Sequence, residues 1–237
     1  MKKAALITGG AVRIGKAVAL ALAERGYDIA LHCRNSEKQA VRLAGAVRRA
    51  GRDCEVFCCD LSDPAAALEL VPAVRRRFPH CRLLINNASV FERGTLRDLS
   101  PSSWRRIMAV NLDAPVFLTR AFAAAFRRGH VVNLCDAKAA ANFTSHFAYT
   151  MSKKALLDFT AMSAAGLGPA VRVNAVAPGL ILPSREFGTR DLVRLSAGLP
   201  LGRKGTVSDV VSAVLFLEDN PYITGQTVYV DGGMHLL

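Results

Sequence analysis

The 237-residue sequence lacks several features that would assign it to a specialised class of protein. Its six cysteines form no CxxC pair and have no His-rich spacing around them, so we expect neither a disulfide framework nor a metal site. No apolar run approaches the roughly 20 residues of a membrane span. The first apolar stretch ends at Gly9 and Gly10, which is too short for a signal peptide, and we expect a cytoplasmic protein.

Acidic residues are also few. There are 19 Asp and Glu against 31 Lys and Arg, which gives a formal net charge of +12. A charge of this sign is compatible with nucleic-acid binding. However, the arginines are spread over several helix-length segments without interleaved aromatic residues, which favours solvated helix faces. We therefore expect no nucleic-acid partner and no membrane partner, although the charge would attract a phosphorylated small molecule.

Short apolar runs alternate with helix-length segments along the whole chain. Strands that are apolar on both faces and separated by helices predict a parallel sheet covered on both sides. No linker or internal repeat divides the chain, so we predict one doubly wound α/β domain over residues 1–237, with residues 181–203 as a substrate-covering loop. The predicted strands are residues 4–8, 28–33, 54–59, 83–86, 131–135, 171–177 and 227–230, and the predicted helices are residues 14–25, 36–50, 64–78, 101–127, 147–165 and 207–217.

A glycine-rich turn, residues 8–15 (TGGAVRIG), joins the first predicted strand to a helix. Gly9 and Gly15 would let the backbone approach a pyrophosphate, and the helix N-terminus offers free amides and the positive end of its dipole. Arg13 adds a cation to the turn, beside Ile14. The pattern is typical of a dinucleotide site, with a glycine-rich turn of no special role as the alternative.

The end of the second predicted strand indicates which dinucleotide would bind. An NAD site places Asp or Glu there to hold the ribose 2′-hydroxyl, whereas this chain reads LHCRNS at residues 31–36. Arg34 can pair with a 2′-phosphate through charge-assisted bonds, and Asn35 and Ser36 can donate further hydrogen bonds. We predict NADPH. The alternative is a solvated Arg34, with Ser36 capping the following helix.

Two further strand ends carry polar residues. Asp60, followed by Leu61, comes after the third predicted strand, where its carboxylate could accept from an adenine amine or cap the next helix. The fourth predicted strand ends in NNAS, residues 86–89. Asn87, Ala88 and Ser89 would thus lie at the carboxyl edge, where open α/β sheets bind ligands.

Tyr149 and Lys153 lie four residues apart on a predicted helix and share one face, and Asp136 lies thirteen residues before Tyr149. A neighbouring lysine lowers a tyrosine pKa from its usual value of about 10. An ionised aspartate only accepts hydrogen bonds, so Asp136 opposes this effect and favours the protonated phenol. We predict a site that gives a proton during a reduction. Alternatively, Asp136 only caps the loop after the fifth strand.

These motifs resemble the short-chain dehydrogenase/reductase family over nearly the whole chain, together with Asn111, Pro178-Gly179 and the ending VDGG at residues 230–233. The resemblance implies a Rossmann-like sheet of about seven strands, a nicotinamide cofactor and a homotetramer. It also implies that Tyr149 is the acid/base, that Lys153 holds the nicotinamide ribose and tunes Tyr149, and that Asn111 supports a proton relay. The residues expected to line the cofactor are Gly9, Arg13, Ile14, Gly15, His32, Arg34, Asn35, Ser36, Asp60, Leu61, Asn87, Ala88, Ser89, Tyr149, Lys153, Pro178, Gly179 and Leu180.

Three details are similar to one subgroup, the pteridine reductases and bacterial dihydromonapterin reductases: Arg13 where most members have glycine, Asp136 where most have serine, and NNASVF at residues 86–91. The resemblance implies that Phe91 stacks a pterin against the nicotinamide. Ser89 and Arg13 would contact cofactor or pterin, and Asp136 would partner Tyr149. As alternatives, Phe91 packs under a loop and Arg13 serves only the cofactor phosphates.

The resemblance implies an NADPH-dependent reduction of a dihydropterin, and of dihydrofolate as a further substrate, with hydride transfer to a ring C=N bond. Two other functions stay open. One is a carbonyl reductase that acts on a ketone, such as a 3-oxoacyl thioester or a sugar. The other is a catalytically silent nucleotide-binding protein, against which the intact Tyr149–Lys153 pair argues.

Overall fold

The computed structural model describes residues 2–184 and 188–237 and contains a seven-stranded parallel sheet. The strand order is β3-β2-β1-β4-β5-β6-β7, so the chain winds outward from β1 in both directions. The predicted doubly wound fold is thereby confirmed. The strands are β1 (Lys3–Ile7), β2 (Tyr27–Cys33), β3 (Cys54–Cys58), β4 (Cys81–Asn86), β5 (Gly129–Leu134), β6 (Val171–Pro178) and β7 (Thr227–Val230).

Helices cover both faces of this sheet and form an apolar core with each. One core joins α1, α2 and α8 to the sheet, and the other joins α3, α5 and part of α6 to the opposite face. The central strands are buried on both sides, which explains why they are apolar without alternation. The helices are α1 (Arg13–Glu24), α2 (Glu37–Arg49), α3 (Pro64–Arg77), α4 (Pro101–Met108), α5 (Ala114–Phe126), α6 (Phe147–Leu167), α7 (Thr189–Ser196) and α8 (Val207–Asp219).

The helix predicted over residues 101–127 is interrupted by a π-helical turn, Ala109–Asp113. Pro115 lacks an N–H, so it cannot donate the α-helical hydrogen bond to the Asn111 carbonyl, and Ala114 N donates to Ala109 O instead. Contrary to expectation, the continuous stretch Pro101–Phe126 is long and apolar enough to cross a membrane by length and composition, with a mean hydropathy of 1.3 in its most apolar part. However, 44% of that part is buried, and α5 packs against α3, as a core helix does.

The stretch predicted as a loop, residues 181–203, contains the helix α7. Asp191 Oδ2 accepts from Gly188 N at 3.0 Å and so caps the helix. Leu192 and Ser196, four residues apart, form its buried face. Two buried positions in eight residues are a weak periodic signal, which explains why the helix was missed. Residues 185–187 of the predicted loop lie outside the described residues.

Candidate active site

A cavity of about 180 Å³ opens at the carboxyl ends of β1 and β2. Four of the residues predicted to bind the cofactor line this cavity, and the fold brings them together from two separate loops: Gly9, Arg34, Asn35 and Ser36. Three further residues line the cavity and were not predicted, because nothing in their chemistry distinguishes them in the sequence: Ala11, Val12 and Cys33.

The glycine-rich turn packs tightly against the loop after β4. Gly9 has a φ of +59°, and a Cβ on Gly15 would lie 2.6 Å from Asn87 Nδ2, so a side chain at Gly15 would displace Asn87. Thr8 Oγ1 accepts from the main-chain N–H groups of Asn87 and Ala88 at 2.9 and 3.0 Å. Asn87 Nδ2 donates to the carbonyls of Thr8 and Gly9 at 2.8 and 3.0 Å. Together these contacts join the ends of β1 and β4.

Arg13 adopts a left-handed backbone conformation, with a φ of +55°. Glycine is the residue that adopts this conformation without strain, and a larger side chain there costs roughly 1–2 kcal/mol. Its side chain is exposed and has no hydrogen-bond or ion-pair partner within residues 2–184 and 188–237. A strained residue with an unpaired cation is typical of a ligand-contacting position.

His32 supports the glycine-rich turn from inside the sheet. Its Nδ1 accepts from Gly9 N at 3.1 Å, so Nε2 carries the proton and donates to Cys59 O at 3.2 Å. Burial lowers the pKa of His32 below its usual value of about 6.5. His32 is 2% exposed, so it acts on the predicted cofactor site indirectly, through its hydrogen bond with Gly9.

Arg34 and Asp60 lie together beside the cavity. Arg34 Nη1 is 3.5 Å from Asp60 Oδ2, and both side chains are nearly half exposed. Burial alone would raise the pKa of Asp60, but hydrogen bonds from Ser62 and the Arg34 charge outweigh it and lower this pKa. Asp60 does not cap α3, contrary to one of the alternatives, since Asp63 accepts from Ala65 N at 3.0 Å and is the cap.

Ser36 lies at the N-cap of α2, as predicted, but its hydroxyl makes no hydrogen bond to a helix amide. The Ser36 side chain therefore does not cap α2, and its hydroxyl stays available to a ligand. The carboxylate of Glu37 follows in the first turn. Arg34 and Ser36 therefore form a polar wall of the cavity.

Tyr149, Asp136 and Lys153 meet at the carboxyl ends of β5 and β6. The Tyr149 hydroxyl donates to Asp136 Oδ2 at 2.6 Å. Asp136 Oδ1 accepts from Lys138 N at 2.8 Å and so caps a short 3-10 helix, Ala137–Ala140. Asp136 therefore combines the two roles that the sequence left open, loop cap and partner of Tyr149.

Lys153 is 2% exposed, and its Nζ donates to the Leu134 carbonyl at 2.8 Å. Burial lowers the pKa of Lys153. Burial, followed by the charge and hydrogen bond of Asp136, raises the pKa of Tyr149 well above 10. Lys153 was expected to lower the pKa of Tyr149, and burial and Asp136 together outweigh that effect. The Leu134 carbonyl is a main-chain group, so no side-chain pattern could have revealed it.

Phe91 lies between His146 and Tyr149. Its ring stacks on His146, with centroids 4.4 Å apart and planes at 18°, and meets Tyr149 edge-on at 4.8 Å and 90°. Phe91 is half-buried, so the alternative of packing against protein holds for the side that His146 covers. His146 was not among the predicted site residues, and its only signal in the sequence is its position three residues before Tyr149.

Asn111 is fully buried and connects three segments. Its Oδ1 accepts from Val90 N at 2.8 Å and from the Ser89 hydroxyl at 3.2 Å. Its Nδ2 donates to Val90 O at 2.9 Å and to Ser152 Oγ at 3.1 Å. The side chain thus holds residues 89–90, and with them the start of Phe91, against α6.

The remaining predicted residues take supporting positions. Leu61 is 5% exposed within the core, and Ile14 packs against the other core, so each could meet a ligand mainly through its main chain. Gly179 N donates to Val230 O at 3.0 Å, and a Cβ on Gly179 would lie 2.8 Å from Asp231 Cα. Pro178, Gly179 and Leu180 therefore pass close to the end of β7. Among the described residues, no three His, Cys, Asp or Glu side chains are grouped to hold a metal ion.

Known proteins resemble this chain in sequence and in fold. Residues 10–235 match a family model described as Enoyl-(Acyl carrier protein) reductase. The chain is 29% identical to 3-oxoacyl-[acyl-carrier-protein] reductase FabG of Staphylococcus aureus, over 100% of this chain and 99% of the relative. It is 36% identical to FolM Alternative dihydrofolate reductase 1 from Brucella suis in complex with NADP, with a TM-score of 0.94 over 99% of this chain and 95% of that one.

A second solved structure, acetoin dehydrogenase YohF from Salmonella typhimurium, is 30% identical, with a TM-score of 0.90 over 100% of this chain and 97% of that one. The FolM and acetoin structures both cover nearly the whole chain at 30% identity or more, and both superpose closely on its sheet. Together with the Tyr149–Lys153 site at the carboxyl edge of that sheet, these likenesses show that the chain belongs to the short-chain dehydrogenase/reductase family.

Proposed function

We propose that this protein is an NADPH-dependent pterin reductase that converts a dihydropterin to its tetrahydro form. Membership of the family makes it an NADP-dependent oxidoreductase, and the finer assignment concerns the substrate. The observation that carries the proposal is the hydrogen bond of 2.6 Å from Tyr149 to Asp136, beside the half-buried ring of Phe91. The 36% identity with the Brucella FolM proteins supports it.

The residues of the β1–β2 cavity fit a phosphorylated dinucleotide. Gly9 and Gly15 lack the Cβ atoms that would fill the turn, and the unused Ser36 hydroxyl lies near the cation of Arg34. No carboxylate occupies the end of β2, where an NAD site needs one. When bound, NADPH supplies the hydride for the reduction. Structures of relatives with NADP or NADPH support this choice of cofactor.

Tyr149 is proposed to give the proton that the substrate ring nitrogen needs. Asp136 keeps the phenol protonated, because a phenolate next to a carboxylate would be repelled. The resting site therefore holds a protonated phenol and no phenolate to take a proton from an alcohol, which suits a reduction. After transfer, the same repulsion favours the return of a proton to Tyr149.

Phe91 and Arg13 are proposed to bind the pterin. Phe91 offers a flat apolar surface held next to Tyr149 by His146, which suits stacking with a planar heterocycle. Arg13 can donate to the polar edge of the ring or to cofactor phosphates. Ser89 and Asn111 position this surface, since their mutual hydrogen bond holds the segment that carries Phe91.

A ketone reductase is the second candidate function. The likeness to 3-oxoacyl-[acyl-carrier-protein] reductase and acetoin dehydrogenase favours it. Asp136 disfavours it, because a carboxylate cannot donate the hydrogen bond that a serine would give to a substrate carbonyl.

The direct test measures NADPH oxidation with dihydromonapterin, dihydrobiopterin and dihydrofolate beside a panel of ketones. Turnover of a dihydropterin well above that of every ketone is the expected result. Turnover of a ketone alone would reject the pterin assignment and leave the family assignment intact. Oxidation of NADPH with any substrate would reject a catalytically silent protein.

The protein is also proposed to act in the cytoplasm as a homotetramer. A groove of about 660 Å³ runs between α5 and α6. Phe117 on α5 and Met162 on α6 are large apolar side chains on the same two helices and are 42% and 75% exposed, so a partner packed there would bury them. A second copy of the chain is the proposed partner.

A further inference from the structure

Two cysteines lie opposite each other at the ends of neighbouring strands. Cys33 ends β2 and Cys58 ends β3, and the two residues are paired in the parallel register. Their Sγ atoms are 3.4 Å apart. Paired positions on adjacent strands are about 5 Å apart, within the usual Cα separation for a disulfide. The two thiols thus need to approach by little more than 1 Å to reach the bonded distance of about 2.05 Å.

Cys33 connects this pair to the proposed cofactor site. Its side chain lines the β1–β2 cavity with Arg34 and Ser36. Ser36, at the N-cap of α2, is three residues from Cys33 in the chain and lines the same cavity. A change in the position of the Cys33 sulfur therefore acts on the residues proposed to hold the 2′-phosphate.

We propose that Cys33 and Cys58 form a site of reversible oxidation by hydroperoxides, and that the disulfide formed there weakens NADPH binding. The bond would draw the Cys33 sulfur toward β3 and so change the cavity wall that Cys33 shares with Arg34 and Ser36. The two residues proposed to hold the 2′-phosphate would then be displaced from it. The inference rests on the proposed NADPH site and is independent of the pterin.

Exposure assigns the first step to Cys58. Cys58 is exposed whereas Cys33 is 2% exposed, and burial, followed by the hydrogen bond to Cys58, raises the pKa of Cys33 to about 12. The Cys58 thiolate attacks hydrogen peroxide, the O–O bond breaks, and a sulfenic acid and hydroxide form; the hydroxide takes up the proton that the Cys58 thiol had released and becomes water. The Cys33 sulfur then attacks Cys58 Sγ, the S–O bond breaks, and the Cys33 proton leaves with the hydroxyl as a second water. Two thiols are oxidised and one peroxide is reduced.

The other cysteines are poorly placed for this reaction. Cys59 follows Cys58 in the chain, so its side chain leaves the extended backbone on the opposite side. Cys54, Cys81 and Cys135 are buried, and burial raises the pKa of each thiol to about 12. A pair of one exposed and one buried thiol in contact is thus found at Cys33 and Cys58.

The first experiment maps the bond in the full-length protein after treatment with hydrogen peroxide. The expected product has lost two hydrogens and, after trypsin digestion, joins residues 26–34 to residues 53–75 through Cys58. Since the second peptide also contains Cys54 and Cys59, fragmentation of the cross-linked peptide identifies the sulfur. A bond to Cys54 or Cys59, or a bond only between two molecules, would overturn the proposal. Cys33→Ser and Cys58→Ser should abolish the bond and Cys81→Ser should keep it.

The second experiment measures NADPH affinity from the fluorescence of the cofactor. Oxidised protein should bind about tenfold more weakly, as expected when the displaced cavity wall loses one hydrogen bond to the charged 2′-phosphate, and dithiothreitol should restore the affinity. The Cys58→Ser variant should bind as the reduced protein does, before and after peroxide. Full cross-linking with unchanged affinity would overturn the link to the cofactor. If reduced protein did not bind NADPH, the proposed cofactor site would fail while the mapped bond still tested the cysteine pair.

Discussion

Asp136 changes the chemistry of the site because a carboxylate and a serine hydroxyl differ in what they can do for a neighbouring phenol. A hydroxyl can donate to a phenolate and stabilise it, whereas the carboxylate accepts from the protonated phenol at 2.6 Å. Tyr149 is also 6% exposed, so water does little to stabilise its anion. Both effects keep the proton on Tyr149.

Replacement of Asp136 by serine should lower kcat/KM for dihydropterin by about 100-fold, the lower end of the effect of a positioned acid or base. As the pH is raised, the variant should also lose its activity at a lower pH than the natural protein does. The sign follows because activity needs the protonated phenol, and loss of the carboxylate lowers the Tyr149 pKa. Rates from pH 6 to 11 test this, with Asp158→Ser on the exposed side of α6 as the control. An unchanged profile would remove the role assigned to Asp136.

Replacement of Phe91 by leucine should raise KM for dihydropterin roughly three- to tenfold, since a stacked aromatic pair contributes about 0.5–1.5 kcal/mol beyond its buried area. KM for NADPH should stay unchanged, because the cavity at β1 and β2 does not include Phe91. Phe143→Leu is the matched control, as its ring lies under Lys138 and has no ring contact with Tyr149. An equal rise in both KM values would indicate that Phe91 only packs the fold.

At the next level, short segments between elements position the cofactor site. The β2–α2 connection supplies Arg34, Asn35 and Ser36, the turn before α1 supplies Gly9, and α1 begins with Arg13. The parallel order brings both connections to one edge of the sheet. Alternation of strands and helices predicted this edge well, since it depends on the local periodicity of each segment.

Details within the elements were less predictable. The π-helical turn at Ala109–Asp113 precedes Pro115, whose missing N–H ends the α-helical hydrogen-bond pattern locally, and the helix prediction over residues 101–127 did not allow for it. The helix α7 has few buried positions, so its periodicity was weak. Asp63 rather than Asp60 caps α3, a choice between two nearby acids that depends on the path of the intervening turn.

Replacement of Arg34 by aspartate should raise KM for NADPH by about 10- to 100-fold, because it removes a hydrogen-bonded charge from the 2′-phosphate and adds a repelling one. KM for NADH should fall or stay unchanged, since an acid at this position suits a 2′-hydroxyl. Arg42→Asp, which makes the same charge change on the exposed side of α2, should alter neither value. Steady-state kinetics with both cofactors would contradict the assignment if the variant kept its preference for NADPH.

At the scale of the whole molecule, a second cluster of buried polar side chains lies far from the candidate active site, at the amino ends of the strands. His130 at the start of β5 is 2.7 Å from Glu218, which also accepts from Tyr27. Burial lowers the pKa of His130 below about 6.5. Burial would raise the pKa of Glu218, but hydrogen bonds from His130 and Tyr27 outweigh it and lower the value. The group links β2, β5 and the end of α8.

We expect the free energy of unfolding to fall as the pH drops below about 6.5. His32 and His130 both have folded pKa values below the unfolded one, so their contribution is complete above about pH 6.5 and is lost below it, by up to about 1.4 kcal/mol per pH unit for each. Glu218 adds a loss of the same sign below about pH 4.5. Urea unfolding from pH 5 to 8 tests this. His130→Gln should have lower stability but a smaller slope, and a flat profile for the natural protein would contradict the argument.

The assembly can be measured in solution by light scattering coupled to size exclusion. We expect the mass of a tetramer for the natural chain. Met162→Asp and Phe117→Asp should give smaller species, because each would replace an exposed apolar side chain of α6 or α5 with a charge that the proposed contact would have to bury. Val41→Asp, on the exposed side of α2, should leave the mass unchanged. A monomeric natural chain would reject the proposed assembly.

The sequence by itself determined the class of fold, the edge of the sheet at which we propose that the ligand binds, and the trio of Asp136, Tyr149 and Lys153. These depend on local periodicity, on the residues at strand ends and on side-chain chemistry, all of which lie within short stretches of the chain. The tertiary structure decided the raised pKa of Tyr149, the stack of Phe91 on His146, the place of His32 beneath Gly9 and the contact between Cys33 and Cys58. Each of these depends on burial or on residues that crossovers bring together from distant parts of the chain.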